Sequence, residues 1–427
     1  MKLLSVLLAA LSGWAVSAEE TLLRVVPYAG KYSNKQTVIK PYVPRGKSEF
    51  RGVWVATVEN IDFPRTSNAA AFKRAYNKVL VNAKKAGFNA IIFQVRPASD
   101  AFYFSALNPW SRNLSGSEGM GIAGFDPLAY MVNATHLAGM QFHAWLNPYR
   151  VCGNTKMRPE QYISTLSEKN FARRNPQFVL SPPSERPGYR TLLLDPGVPQ
   201  VRTHILATVQ EIISRYKVDA IHFDDYFYPY GGVGNLDGKS FQKYNPLNLS
   251  LHAWRRNNVD IVIKSVKLLL DAHAKKTGRR VQFGISPFGI WGNAGKIAGG
   301  SLTGGKESYF INYADTRKWV RRKWIDYIVP QLYWHFRHET AAYACLVDWW
   351  CSTVRGTGVK LYIGLAPYRL GSPGWSTREL ADQLRYNSSR KDVSGNVMFS
   401  YSKVFFPSTK AAKSGVQQAL SLWKGSR

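Results

Sequence analysis

Val218-Asp219-Ala220-Ile221-His222-Phe223-Asp224-Asp225-Tyr226-Phe227-Tyr228-Pro229 is a short apolar run that stops at two adjacent acids and an aromatic loop. Bounded runs of this length read as buried strands. Seven more occur, at 52–56, 90–95, 141–146, 281–286, 327–333, 361–365 and 396–400. Helical patterns separate them, at 69–86, 126–138, 199–216, 254–276, 308–323, 340–354, 377–387 and 410–423. Gly87 and Gly139 stand where two of these helices should stop. Parallel neighbours need crossover helices, so the alternation predicts a parallel sheet. Eight such units predict a closed (β/α)₈ TIM barrel, an α/β fold, with long loops at its C-terminal face. The competing arrangement is an open doubly wound sheet with a second domain. It is disfavoured because no Gly-rich dinucleotide fingerprint follows the first strand. The long Pro/Gly-rich excursions at 147–198, 226–250 and 287–306 read as functional loops.

In a barrel the chemistry belongs at the C-terminal ends of the strands. Two acids at the end of an apolar strand are costly unless they pair, bind metal or catalyse. Side chains alternate along a strand. Asp224 shares its parity with His222 and Ala220, whereas Asp225 shares that of the bulkier Phe223 and Ile221. Asp224 is therefore expected to be the reactive carboxylate in the barrel mouth, with Asp225, on the strand's other side, a supporting acid held by a loop donor or binding substrate. The other strand ends offer Trp54, Gln94, Arg96, Asn147, Tyr149 and Arg150 as substrate-binding residues. Tyr226, Tyr228, Gln331, Tyr333, Trp334 and Tyr368 complete that set. Aromatic faces stack on sugar rings, while amides and guanidiniums bond hydroxyl and carboxylate groups. Such a cleft suits glycoside hydrolysis, which requires two carboxyl groups. The partner acid stays open, with Asp62, Asp100, Asp195, Asp315 and Glu307 as further acids, of which Asp195 reads better as a chain turn. His143 and His222 lie within strands and read as core histidines rather than bases.

The 427 residues carry 57 Lys+Arg against 27 Asp+Glu, a net charge of +30. Such a surface attracts polyanions. The N-terminus decides which. Met1-Lys2 precedes an apolar stretch to Trp14, and Val16-Ser17-Ala18 offers small residues for cleavage after about Ala18. Residues 1–18 thus read as a signal peptide, 19–48 as an extended lead-in, and 49–427 as the barrel domain. Export to the periplasm favours acidic glycans over nucleic acid, and no stable membrane insertion is expected. Cys152, Cys345 and Cys351 form neither a disulfide framework nor a zinc pattern, so no metal or other cofactor is expected.

Several motifs together resemble one family. Phe50-Arg51-Gly52-Val53-Trp54-Val55-Ala56-Thr57, Phe93-Gln94-Val95-Arg96-Pro97 and His143-Ala144-Trp145-Leu146-Asn147-Pro148-Tyr149-Arg150 are similar to the glycoside hydrolase-like family 10 proteins. So are Leu194-Asp195-Pro196-Gly197, Phe223-Asp224-Asp225-Tyr226, Tyr313-Ala314-Asp315-Thr316-Arg317 and Pro330-Gln331-Leu332-Tyr333-Trp334. The motifs resemble in particular an enterobacterial hydrolase of peptidoglycan glycan strands stripped of their stem peptides. The resemblance implies a barrel hydrolase cleaving between N-acetylmuramic acid and N-acetylglucosamine. It also accounts for the charge, because every peptide-free muramic acid carries a lactyl carboxylate. That relative resembles a lipoprotein, whereas no cysteine stands at the cut site here, so membrane attachment is not carried over. Two other readings fit the same residues. One is a non-catalytic glycan-binding barrel, and the other is a hydrolase of a different acidic or amino-sugar exopolysaccharide.

Overall fold

The computed structural model describes residues 23–424; the expected signal peptide lies outside them. It opens with an antiparallel hairpin, β1 (Arg24–Pro27) and β2 (Gln36–Ile39), where an extended lead-in was expected. Eight strands then follow as the barrel. They are β3 (Phe50–Val55), β4 (Ala90–Arg96), β5 (Gln141–Leu146), β9 (Ala220–Phe223), β10 (Gln282–Ile285), β11 (Tyr327–Ile328), β12 (Lys360–Leu365) and β13 (Val393–Met398). All neighbours pair parallel, in chain order, and β13 closes on β3. The expected (β/α)₈ barrel is the observed one. The excursion after β5 adds a small antiparallel sheet, β6 (Arg150–Thr155), β7 (Val179–Leu180) and β8 (Arg190–Leu194), in the order β6-β8-β7. Among the described residues no helix is long and apolar enough to cross a membrane.

Local chemistry explains the boundaries. The Asn68 side chain caps helix Ala69–Ala86 by accepting from the Ala71 amide, and Gly87 ends it with φ 91°. Asp126 caps helix Pro127–Leu137 through two amides, with proline at its first position. Two elements are shorter than the pattern predicts. Strand β11 stops at Ile328 because Pro330 has no N–H for the ladder. The helix expected over 308–323 covers only Thr316–Arg321. Residues before it turn instead: Tyr313 has φ 51°, and the Asn312 side-chain amide donates to the Tyr228 carbonyl.

Strand alternation separates two apolar layers. Val53, Val55, Ile91 and Phe93 join the core under the helices. Phe50, Trp54, Ile92, Trp145, Tyr327 and Tyr362 fill the barrel itself. Here Phe50 stacks on Tyr362 with ring centres 4.1 Å apart. The Tyr327 hydroxyl bonds His143 Nδ1 at 2.8 Å and His222 Nδ1 at 3.1 Å. Burial holds the His143 imidazole down at about 4, so it is neutral at physiological pH, and His222 lies well below its usual range for the same reason. Both are core histidines, as their strand positions predict.

Room for Tyr327 comes from Gly284, where a Cβ would stand 1.9 Å from the tyrosine ring. Gly284→Ala is therefore expected to destabilise the barrel by about 1–3 kcal/mol through overpacking. Denaturant unfolding would register this as a lower midpoint at unchanged slope.

Candidate active site

At the C-terminal ends of the strands lies a cleft of about 450 Å³. Asp224 and Asp225 both line it, beside Trp54, Trp145, Arg150 and Tyr226. Both acids are nearly buried, 3% and 6% exposed. The placement of Asp225 corrects the parity argument. Strand β9 ends at Phe223, so alternation lapses just before the acids, and the turn brings both carboxyls to one cleft.

Their surroundings differ. Asp224 accepts a hydrogen bond from Trp145 Nε1 at 3.1 Å, and the Asn147 amide donates to both its oxygens at 3.0 and 3.1 Å. Burial pushes the Asp224 carboxyl up, opposed by the Arg150 guanidinium and by those donors. Asp225 accepts from the Tyr230 hydroxyl. Burial, and then the charge of Asp224, push its carboxyl up to about 7. Hydrogen-bond donors reach both carboxyls, so charge separates them: the Arg150 guanidinium favours ionised Asp224, whereas Asp224 itself opposes ionisation of Asp225. The pair therefore keeps its negative charge on Asp224 and its proton on Asp225 near neutrality. Two acids with environments that separate their protonation are the arrangement used for acid and base roles.

Asn147 does not line the cleft; it positions Asp224. Its Oδ1 accepts from the Arg150 amide at 2.8 Å, and its carbonyl accepts from Arg96 Nη1 at 2.6 Å. Asn147→Ala removes a hydrogen bond to a carboxylate, and kcat is expected to fall about 10- to 100-fold. The acidic limb of its pH profile should move upward, because Asp224 becomes easier to protonate. A purely structural effect would leave that limb where it is.

Other expected substrate contacts divide cleanly. Tyr226 and Tyr368 stand at the rim, 42% and 38% exposed, while half-buried Tyr333, Trp334 and Gln331 line the wall. Gln94 reaches the cleft too. Its Oε1 accepts from the Thr57 and Val58 amides at 3.0 and 2.9 Å, while its buried Nε2 has no partner among the described residues. Arg96, Tyr149 and Tyr228 do not line the cleft. Arg96 sits wholly buried under Asn147, and the two tyrosines lie in the core beneath the loops, Tyr228 against Tyr313. An irregularity in β4 between Gln94 and Arg96 precedes the buried Arg96, and the turns after β5 and β9 carry the two tyrosines below the floor, directions that strand ends do not encode.

The remaining acids are occupied elsewhere. Asp62 accepts from the Ala56 and Ser402 amides, Asp195 from Gly197, Asp315 from Lys318, Asp100 from Ala98 and Glu307 from Asn293. Sequence reasoning missed Glu185, Tyr230, Phe288, Lys306, Arg369 and Phe399, all of which line the cleft. Glu185 pairs with Lys306 across two loops. A larger hollow of about 680 Å³ lies at the opposite end, where β5, β10 and β12 begin. Its acids are paired, Asp326 with Lys267 and Arg280, and Asp219 with His136.

The chain matches the family described as Glycosyl hydrolase-like 10 over residues 49–381. It belongs to that family. As a glycosyl hydrolase-like 10 protein it is a glycoside hydrolase, and the matched span runs from β3 through all but one of the barrel strands. It is 39% identical over 372 residues to Glycosyl hydrolase YngK of Bacillus subtilis, covering 84% of this chain and 70% of YngK. It is 36% identical over 387 residues to Glycosyl hydrolase DigH of Escherichia coli K12, covering 86% of each. Among solved structures it is similar to alpha-L-fucosidase isoenzyme 2 from Paenibacillus thiaminolyticus, with a TM-score of 0.49 and 15% identity. That match covers 87% of this chain and spans about half of the fucosidase, 49%.

Proposed function

We propose that this glycoside hydrolase is an exported, periplasmic enzyme that cleaves peptidoglycan glycan strands lacking stem peptides. The observation carrying this reading is the asymmetric carboxyl pair, Asp224 and Asp225, set in an aromatic cleft with cations around it. Asp224 acts as nucleophile or base, and Asp225, holding the proton, acts as general acid. Tyr226, Tyr333, Trp334 and Tyr368 offer faces to sugar rings, while Trp54, packed in the barrel interior, forms the floor beneath them. Gln94 Nε2 is a donor for a substrate hydroxyl.

Charge supports the choice of polymer. Arg150 and Arg369 line the cleft, beside a Lys306 that is paired with Glu185, against a protein background of +30. A stem peptide converts the lactyl carboxylate of muramic acid into an amide, which removes the charge and adds bulk. Peptide-free strands carry a regular row of carboxylates directly on the sugars, whereas in peptide-bearing strands the carboxylates stand out along the stems, away from the sugar rings. The sequence motifs at β3, β4, β5 and β9 imply the same substrate.

The test incubates the purified mature protein and its Asp224→Asn variant with peptide-free and peptide-bearing strands. Products are read by mass spectrometry. The expected result is oligosaccharides from peptide-free strands alone, lost in the variant. Binding by both proteins with no new reducing ends would replace the enzyme reading with the glycan-binding one. Cleavage confined to another acidic polymer would overturn the substrate.

A further inference from the structure

The cleft does not end at the carboxyl pair. Towards the β6–β8 sheet a hollow of about 370 Å³ shares Arg150, Glu185 and Tyr226 with it and adds Glu59 and Arg186. On the other side a hollow of about 400 Å³ shares Ile61, Tyr368 and Phe399 and adds Lys403. The two differ in charge. The first sets two carboxylates against two guanidiniums and is close to neutral. The second contains Lys403 and no acid, and Arg369 stands where it joins the main cleft. Arg369 lies over the Tyr368 ring at 5.3 Å. Among the described residues, neither Arg369 nor Lys403 has an ion-pair partner. The acid nearest in sequence to Ile61, Asp62, is half-buried and accepts from the Ser400 hydroxyl and the Ala56 and Ser402 amides.

We propose that this second hollow is a binding subsite for a sugar that bears a free carboxylate. Tyr368 and Phe399 supply the stacking faces, and Arg369 and Lys403 supply the counter-charge. The proposal rests on the reading of the site as a hydrolase of an acidic glycan and says where that glycan's charge is recognised. A guanidinium already laid on an aromatic ring surrenders little rotamer freedom on meeting a carboxylate. Its bond to the anion is charge-assisted, and salt screens it because the side chain is exposed. The consequence is register. In a strand where neutral and acidic sugars alternate, seating an acidic residue here brings the same one of the two linkages to Asp224 and Asp225 at every encounter.

The experiment compares the full-length mature enzyme with the double variant Arg369→Gln/Lys403→Gln on two substrates. One is the peptide-free strand, and the other is the same strand with its lactyl carboxylates reduced to alcohols. A control, Lys275→Gln/Lys276→Gln, removes two charges from the far end of helix Leu251–Thr277, away from the cleft. On native strands the Arg369/Lys403 variant is expected to raise KM about tenfold or more at similar kcat, the size of one or two lost charge-assisted bonds. Its KM should also lose most of its salt dependence. On carboxyl-reduced strands the wild type and this variant should agree within about twofold. The control should follow wild type on both. Equal KM for variant and wild type on native strands would overturn the subsite. So would the same loss in the control, which would assign the effect to overall charge. A wild type that cleaves neither strand overturns the substrate reading itself, and this proposal falls with it.

Discussion

Asp224→Asn is expected to lower kcat by about 10³-fold or more while the barrel stays folded, in keeping with the size of acid–base and nucleophilic contributions. Two stability effects oppose each other. The neutral amide relieves the burial of a charge, which in the wild type pushes the Asp224 carboxyl up. Against that, Asn147 donates to both oxygens and Trp145 to one of them, so an amide nitrogen in either orientation faces a donor. An unmet buried donor costs about 1–3 kcal/mol. The net change in melting temperature should therefore be a few degrees at most. Circular dichroism melts and single-turnover assays on peptide-free strands check the two halves. Near-normal turnover in a folded variant would remove Asp224 from the chemistry.

How far such a residue could be found from sequence depends on the kind of information it needs. The barrel was legible because alternation and capping are local. Gly87 ends its helix in the left-handed conformation, at the stop the sequence marks. Asp224 was legible for the same reason, as a costly acid ending an apolar strand. Asp225 was placed on the wrong side because a strand's alternation holds only while the strand lasts, and β9 ends at Phe223. Arg96, Tyr149 and Tyr228 show the converse. Strand ends bring polar and aromatic residues near the cleft, but a bulge, as before Arg96, or the following turn decides whether each points into it or under it. Glu185 and Lys306 come from two loops far apart in the chain and meet only through the closed barrel. No short motif could have joined them.

The pH profile separates the two carboxyls. In the proposed reaction Asp225 delivers a proton, and its carboxyl, pushed up to about 7 by burial and by Asp224, is protonated below that pH. Activity on peptide-free strands is thus expected to fall as pH rises through about 7. It should fall again in acid, where Asp224 gains a proton, giving a bell whose limbs belong to the pair. Asp225→Asn should lower kcat on strands about 10²- to 10⁴-fold and abolish the alkaline limb. The loss should be far smaller on an aryl glycoside whose leaving group departs without a proton. Glu185→Gln should retain the limb, because Glu185 is half-exposed and paired with Lys306. The coupling supplies an independent check. In Asp224→Asn the charge that helps raise Asp225 is gone, so its titration, followed by carbon NMR of the side-chain carboxyl, should move down. An alkaline limb unchanged in Asp225→Asn but lost in Glu185→Gln would transfer the acid role to Glu185. A limb lost only with Asp225, and lowered when Asp224 is neutral, would tie both halves of the reaction to one strand end.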